Sequence, residues 1–147
     1  MRSLAIRIGI IAAIAVAYFI ARPFISGGAG DLNVGDCFDP PAAATETVKD
    51  VQHHPCTEVH HGEVIYVGKY PDQETYPTDD AFIQFVQDTC FPAYKDYTGL
   101  DVLTTEGADV GYFVPTSEGW SKGERGVICY GTKIGNEPMQ GSIKKAS

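Results

Sequence analysis

The chain has 147 residues and a formal net charge of -8, a length that suits one domain. Arg2, Arg7 and Arg22 are the only charges in the first thirty residues, while all nineteen acids lie between Asp31 and Glu137 against eight Lys and Arg. So acidic a domain is repelled by phosphate backbones, which argues against nucleic acid as a partner. The sixteen aromatics, most of them beyond residue 60, argue against disorder.

Ile8 to Ala21 is an uncharged run of fourteen residues behind Arg2 and Arg7, the layout of a signal-peptide core. Extended from Leu4 to Ile25 it reaches twenty-two residues, enough for a single transmembrane helix. The stems of Arg7 and Arg22 carry their charges to the interface. Gly27, Gly28, Ala29 and Gly30 offer small residues for cleavage. Arg22-Pro23-Phe24-Ile25 places a charge and more apolar surface before them, so the flanks favour an uncleaved anchor over a secreted product. Arg2, Arg7 and the free amine put the N-terminus in the cytoplasm and the acidic remainder outside. Gly9, Ala12, Ala13, Ala15 and Ala17 give the span small faces for packing against other helices. The organisation expected is an anchor over residues 1–25, a flexible tether over 26–32 and an extracytoplasmic domain over 33–147. The expected partners are the cytoplasmic membrane and other membrane or envelope proteins.

Four cysteines, Cys37, Cys56, Cys90 and Cys129, lie on the exported side and read as two disulfides. Four cysteines allow three pairings. Cys37–Cys56 with Cys90–Cys129 is preferred, because the first closes a local loop after a short strand and the second ties a helix to a late strand.

Leu32 to Phe38 reads as a short strand with a bend at Gly35-Asp36, followed by an exposed loop through Pro40 and Pro41. Val48 to His53 is a candidate strand. Glu63 to Tyr70 is a clearer one, carrying Val64, Ile65, Tyr66 and Val67. Thr78 caps a helix whose first turn holds Asp79 and Asp80. Phe82, Phe85, Val86 and Cys90 form its apolar face. Pro92 is expected to break or kink it, with a further turn to Tyr97 and a stop at Gly99. Gly111 to Pro115 and Gly126 to Thr132 read as strands, with a turn over Thr116 to Glu124. The segment from Gly135 is polar apart from Met139 and Ile143. One helix with several short antiparallel strands gives an α+β domain stapled by disulfides.

Three stretches, taken in order with the cysteines, resemble the septum-formation-related domain of exported actinobacterial membrane proteins. They are Val34-Gly35-Asp36-Cys37-Phe38, Cys56-Thr57-Glu58-Val59-His60-His61-Gly62-Glu63-Val64, and Trp120-Ser121-Lys122-Gly123-Glu124-Arg125 followed by Cys129 and Gly141-Ser142-Ile143-Lys144. The resemblance covers roughly residues 33–145. Val59 stands where a proline is expected. The resemblance implies a membrane anchor, a cysteine-paired outer domain and a link to division septa. It supplies no catalytic residues.

His53, His54, His60, His61 and Glu63 fall within eleven residues. Zinc or copper would accept such imidazoles, which gives a metal-binding envelope protein as the alternative function. The spacing is not diagnostic, and a structural role with His60 or His61 hydrogen-bonding near Glu63 is the expectation. On a strand His61 and Glu63 share a face and His60 points the other way. Trp120 is expected to pack over its turn, with Arg125 stacked on it or paired with an acid. There is no Gly-x-Ser-x-Gly elbow, no phosphate loop and no Cys-x-x-Cys pair. The reading is a non-catalytic binding or scaffold domain without a cofactor, with an accessory role in a larger membrane complex as one form of it.

Overall fold

The computed structural model describes residues 27–41 and 50–146. The anchor expected over residues 1–25 lies outside the described residues. Among the described residues, no helix is long and apolar enough to cross a membrane.

Strands β1 (Gly27–Gly28), β2 (Cys37–Asp39), β3 (Asp50–His54), β4 (Val59–His60) and β5 (Gly62–Lys69) precede the main helix α1 (Asp79–Thr98). Strand β6 (Ala108–Phe113), the short helix α2 (Ser117–Ser121), β7 (Gly126–Lys133) and β8 (Met139–Gln140) follow it. Six strands form one antiparallel sheet in the order β1-β3-β2-β5-β7-β6, and β4 pairs with β8 beside it. This is the α+β architecture expected from the sequence.

The sheet is apolar on both faces. Phe38 and Val51 pack with Val64, Ile128 and Leu32 in one cluster, while Ile65, Val127 and Cys129 meet Val86, Cys90 and Tyr94 of α1 in the other. Val64 belongs to the first cluster and Ile65 to the second, as alternation on a strand covered on both faces requires, and a register shift opposite β7 lies between Val64 and Tyr66. Gly27 and Gly28, read from sequence as part of the tether, instead pair with Val51 and Asp50 of β3. Glycines carry no side-chain pattern from which a strand can be read.

Helix α1 begins as expected, with the Thr78 hydroxyl accepting from the Ala81 N–H at 3.3 Å, and ends at Gly99 in the left-handed conformation. Its buried side is Phe82, Val86, Cys90, Tyr94 and Thr98, one residue every four. The helix runs through Pro92 without a break. Asp88, the residue whose carbonyl Pro92 leaves without a backbone donor, is exposed. The segment expected as a turn over Thr116 to Glu124 contains α2, capped by the Thr116 hydroxyl on the Gly119 N–H at 3.0 Å.

The outer strand β6 uses two of its donors within the chain. The Asp109 carboxylate accepts from the Val110 N–H at 2.8 Å and the Thr105 carbonyl from the Ala108 N–H at 3.2 Å. Donors used in this way are withdrawn from pairing with another strand over that part of the edge.

Cys37 bonds Cys56, and Cys90 bonds Cys129, the preferred pairing. The closed loops span 19 and 39 residues of separation, for which loop entropy gives about 3 to 4 kcal/mol each.

Candidate functional site

Two polar centres lie where β2, β3 and the β4–β5 junction meet. The first is built on Asp39, at the end of β2. His54, at the end of β3, places Nε2 at 2.8 Å from Oδ2 of Asp39, and His61 places Nδ1 at 2.6 Å from Oδ1. One carboxylate thus clasps two imidazoles from different segments. Burial works against the Asp39 charge, but hydrogen bonds from His61 and His54 and their charges outweigh it, so its pKa is held below the usual carboxylate value.

The second centre is Glu63, which is 0 % exposed. Its Oε1 accepts from the Tyr97 hydroxyl at 2.5 Å and the Ser142 hydroxyl at 2.6 Å, and its Oε2 accepts from the Ile143 N–H at 2.7 Å. Burying a carboxylate is costly unless such donors replace water. Here they come from α1 and from the segment over residues 141–145, a C-terminal strap, so Glu63 fastens both to the sheet. Burial first, then the hydrogen bond to Glu63 and its charge, push the Tyr97 phenol well above its ordinary pKa.

His60 is also fully buried, with Nδ1 at 2.9 Å from the Glu58 carbonyl. It does not turn away from Glu63, as strict alternation predicts. Strand β4 ends at His60 and β5 starts at Gly62, so His61 interrupts the alternation and both His60 and Glu63 face inward. The expected hydrogen bond of His60 or His61 near Glu63 is replaced by bonds to the Glu58 carbonyl and to Asp39. The four histidines therefore do not form one cluster. Among the described residues, the group whose ligand atoms all fall within 4.8 Å of one another is Cys37, His60 and Glu63. Cys37 enters it as a disulfide sulfur, which is not the thiolate that binds metals. His53 lies apart from this group and has a buried Nε2 with no partner.

Trp120 and Arg125 occupy the far end of the sheet. Trp120 is 3 % exposed among Tyr70, Tyr76 and Phe82. The Arg125 guanidinium lies 3.7 Å from its ring centroid. Arg125 also donates to the Trp120, Glu124 and Gln73 carbonyls at 2.9, 2.8 and 3.1 Å and to Asp72 at 3.2 Å. Four of its five donors are used in this way, so Arg125 locks the 70–76 loop onto α2.

Sequence reasoning misses Asp39, Tyr97 and the pairing of Ser142 and Ile143 with Glu63. The Gly141-Ser142-Ile143-Lys144 stretch stands out in the sequence, but its partner lies 79 and 80 residues upstream.

The sequence profile of the septum formation family matches residues 29–129. The chain belongs to that family. No curated protein matches it, and no solved structure matches it. Within the matched span fall both disulfides, the Asp39 clasp, His60 and Glu63. The Ser142 and Ile143 partners of Glu63 lie beyond it.

Proposed function

We propose that this septum-formation protein is a non-catalytic, membrane-anchored domain that acts outside the cytoplasmic membrane by binding other envelope proteins during cell division. The observation that supports this best is how the chemistry-bearing side chains are used. Glu63, Asp39, His54, His61 and Arg125 are each spent on tying segments together. The hydroxyls that stand beside a carboxylate, those of Tyr97 and Ser142 on Glu63, join α1 and the C-terminal segment to the sheet. Two disulfides suit an oxidising compartment, and the apolar run over residues 4–25 suits a span.

The test joins location to partnership. The full chain should stay with membranes through a carbonate wash and keep Met1 or Arg2 at its N-terminus. Ile11→Asp with Ile14→Asp should disrupt insertion, because an acid near a helix centre costs about 2.5 to 3.5 kcal/mol. Purification in mild detergent after crosslinking should recover envelope proteins with the chain. A soluble product starting at Gly30 or Asp31 removes the anchor, and recovery of the free chain alone removes the scaffold.

A further inference from the structure

The interior beside Glu63 holds ligand-type groups that the folded domain leaves partly unused. Cys37, His60 and Glu63 are all buried, and a sulfur, a ring nitrogen and a carboxylate oxygen from them lie within 4.8 Å of one another. A carbonyl only accepts, so the contact of His60 Nδ1 with the Glu58 carbonyl fixes the proton on Nδ1. The lone pair then sits on Nε2, which is buried and has no hydrogen-bond partner. Buried nitrogens are seldom left so. Ligating histidines are commonly oriented in this way, with the outer N–H held by a carbonyl and the other nitrogen aimed at the ion. Glu63 also has capacity left. A carboxylate offers about four acceptor positions. Tyr97, Ser142 and Ile143 use three, which leaves one on Oε2.

The sulfur is the committed member, because Cys37 Sγ is bonded to Cys56 Sγ. We propose that cleavage of this disulfide by a dithiol reductant converts the locus into a zinc(II) site formed by Cys37, Cys56, His60 and Glu63. The S–S bond breaks. The dithiol supplies two electrons and two protons and closes to its own disulfide, leaving two cysteine thiols. Zinc releases both thiol protons to solvent and takes two thiolates, the Nε2 lone pair and the Glu63 oxygen. Two sulfurs, a nitrogen and an oxygen make a four-coordinate set that zinc accepts. The ion's two positive charges offset the two new thiolates, so the buried net charge does not change. Disulfide and zinc are alternative states of one locus, and the oxidised domain holds no ion there. The reductant reaches this bridge first, because Cys56 is half-buried whereas Cys90 and Cys129 are both 0 % exposed.

Cobalt(II) and zinc(II) are the probes, applied to the full chain in mild detergent. The reduced chain should bind one equivalent of cobalt, with thiolate-to-metal charge transfer in the near ultraviolet and visible bands of tetrahedral cobalt. The oxidised chain should show neither. His60→Gln should weaken binding roughly tenfold or more, judged against the effect of altering a ligand's immediate surroundings. A second measurement needs no variant. Zinc should slow re-formation of Cys37–Cys56 during air oxidation, read by peptide mapping, and leave Cys90–Cys129 to re-form at its zinc-free rate. Absence of charge transfer, equal cobalt affinity in His60→Gln, or zinc having no selective effect on Cys37–Cys56 overturns the proposal.

Discussion

Tyr97 on helix α1 donates its phenolic proton to Glu63 on strand β5 at 2.5 Å, across 34 residues of sequence. That bond makes the principal helix and the central sheet share one buried carboxylate. The same carboxylate also receives the C-terminal strap through Ser142 and Ile143. Three parts of the fold that are distant in sequence are thus fixed by a single acid.

Tyr97→Phe keeps the ring and removes the proton donated to Glu63. A hydrogen bond to a charged group contributes about 1.5 to 3 kcal/mol, and urea denaturation of the variant should show a loss in that range. The pH dependence has a definite sign. Burial and Glu63 raise the Tyr97 pKa in the folded state. An unfolded phenol ionises near pH ~10. Above that pH the unfolded chain loses a proton that the native state retains, so stability falls as pH rises. Tyr97→Phe should flatten this alkaline decline. An unchanged slope would assign it to Tyr94, Tyr76 and Tyr130, whose pKa values are raised as well.

Asp39 governs the acid side. Its pKa is lowered in the folded state despite partial burial, because His61 and His54 hold its ionised form. Its stabilisation is therefore present above the unfolded carboxyl pKa of about 3.9 and is lost as pH falls through the native value. Asp39→Asn should lower stability at neutral pH and shrink the acid-induced loss. The comparison is of unfolding free energies between neutral pH and about pH 3. A parallel loss in both proteins would mean the clasp does not set the acid limit.

Helix α1 is legible in the sequence because its local signals agree. Thr78 caps it, the two aspartates follow, and Phe82, Val86 and Cys90 repeat at helical spacing. Strands β5 and β7 are legible from their β-branched runs, and of the three pairings the sequence allows the structure holds the preferred one. The rest depends on tertiary contacts. Gly27 and Gly28 become a strand only through β3, and Met139 becomes buried only through the pairing of β8 with β4. Pro92 carries a local signal for a break, yet the helix packed on the sheet continues through it. The inward turn of both His60 and Glu63 depends on a strand interruption at His61 that residue types do not mark.

Arg125 should matter through its planar fork and its stacking rather than its charge. Its ion pair with Asp72 is weak, since the Asp72 side chain is 92 % exposed. Its bonds to three carbonyls and its place over Trp120 contribute more. Arg125→Lys keeps the charge but cannot reproduce that geometry. It should destabilise nearly as much as Arg125→Ala, by about 1 to 3 kcal/mol. Asp72→Asn should change stability by less than about 0.5 kcal/mol. Denaturant midpoints of the three variants check this, and full rescue by lysine would show that charge dominates.

The close approach of the strap to the sheet sets the last prediction. Gly131 on β7 faces Ile143, and an added Cβ there would overlap Ile143 Cδ1 and lie 3.2 Å from Tyr94 Cε2. Ile143 is held in place by its N–H bond to Glu63, and Lys145 is held by its N–H bond to the Tyr97 carbonyl at 3.0 Å. The strap cannot retreat without giving up a donor to the buried carboxylate. Overpacking of this kind costs about 1 to 3 kcal/mol. Gly131→Ala should therefore destabilise the domain and speed amide exchange at Ile143 and Lys145 more than in α1. Pairing it with Ile143→Ala removes the colliding methyl group and should recover part of the loss relative to the sum of the single variants. Strict additivity would show that Gly131 is required for another reason.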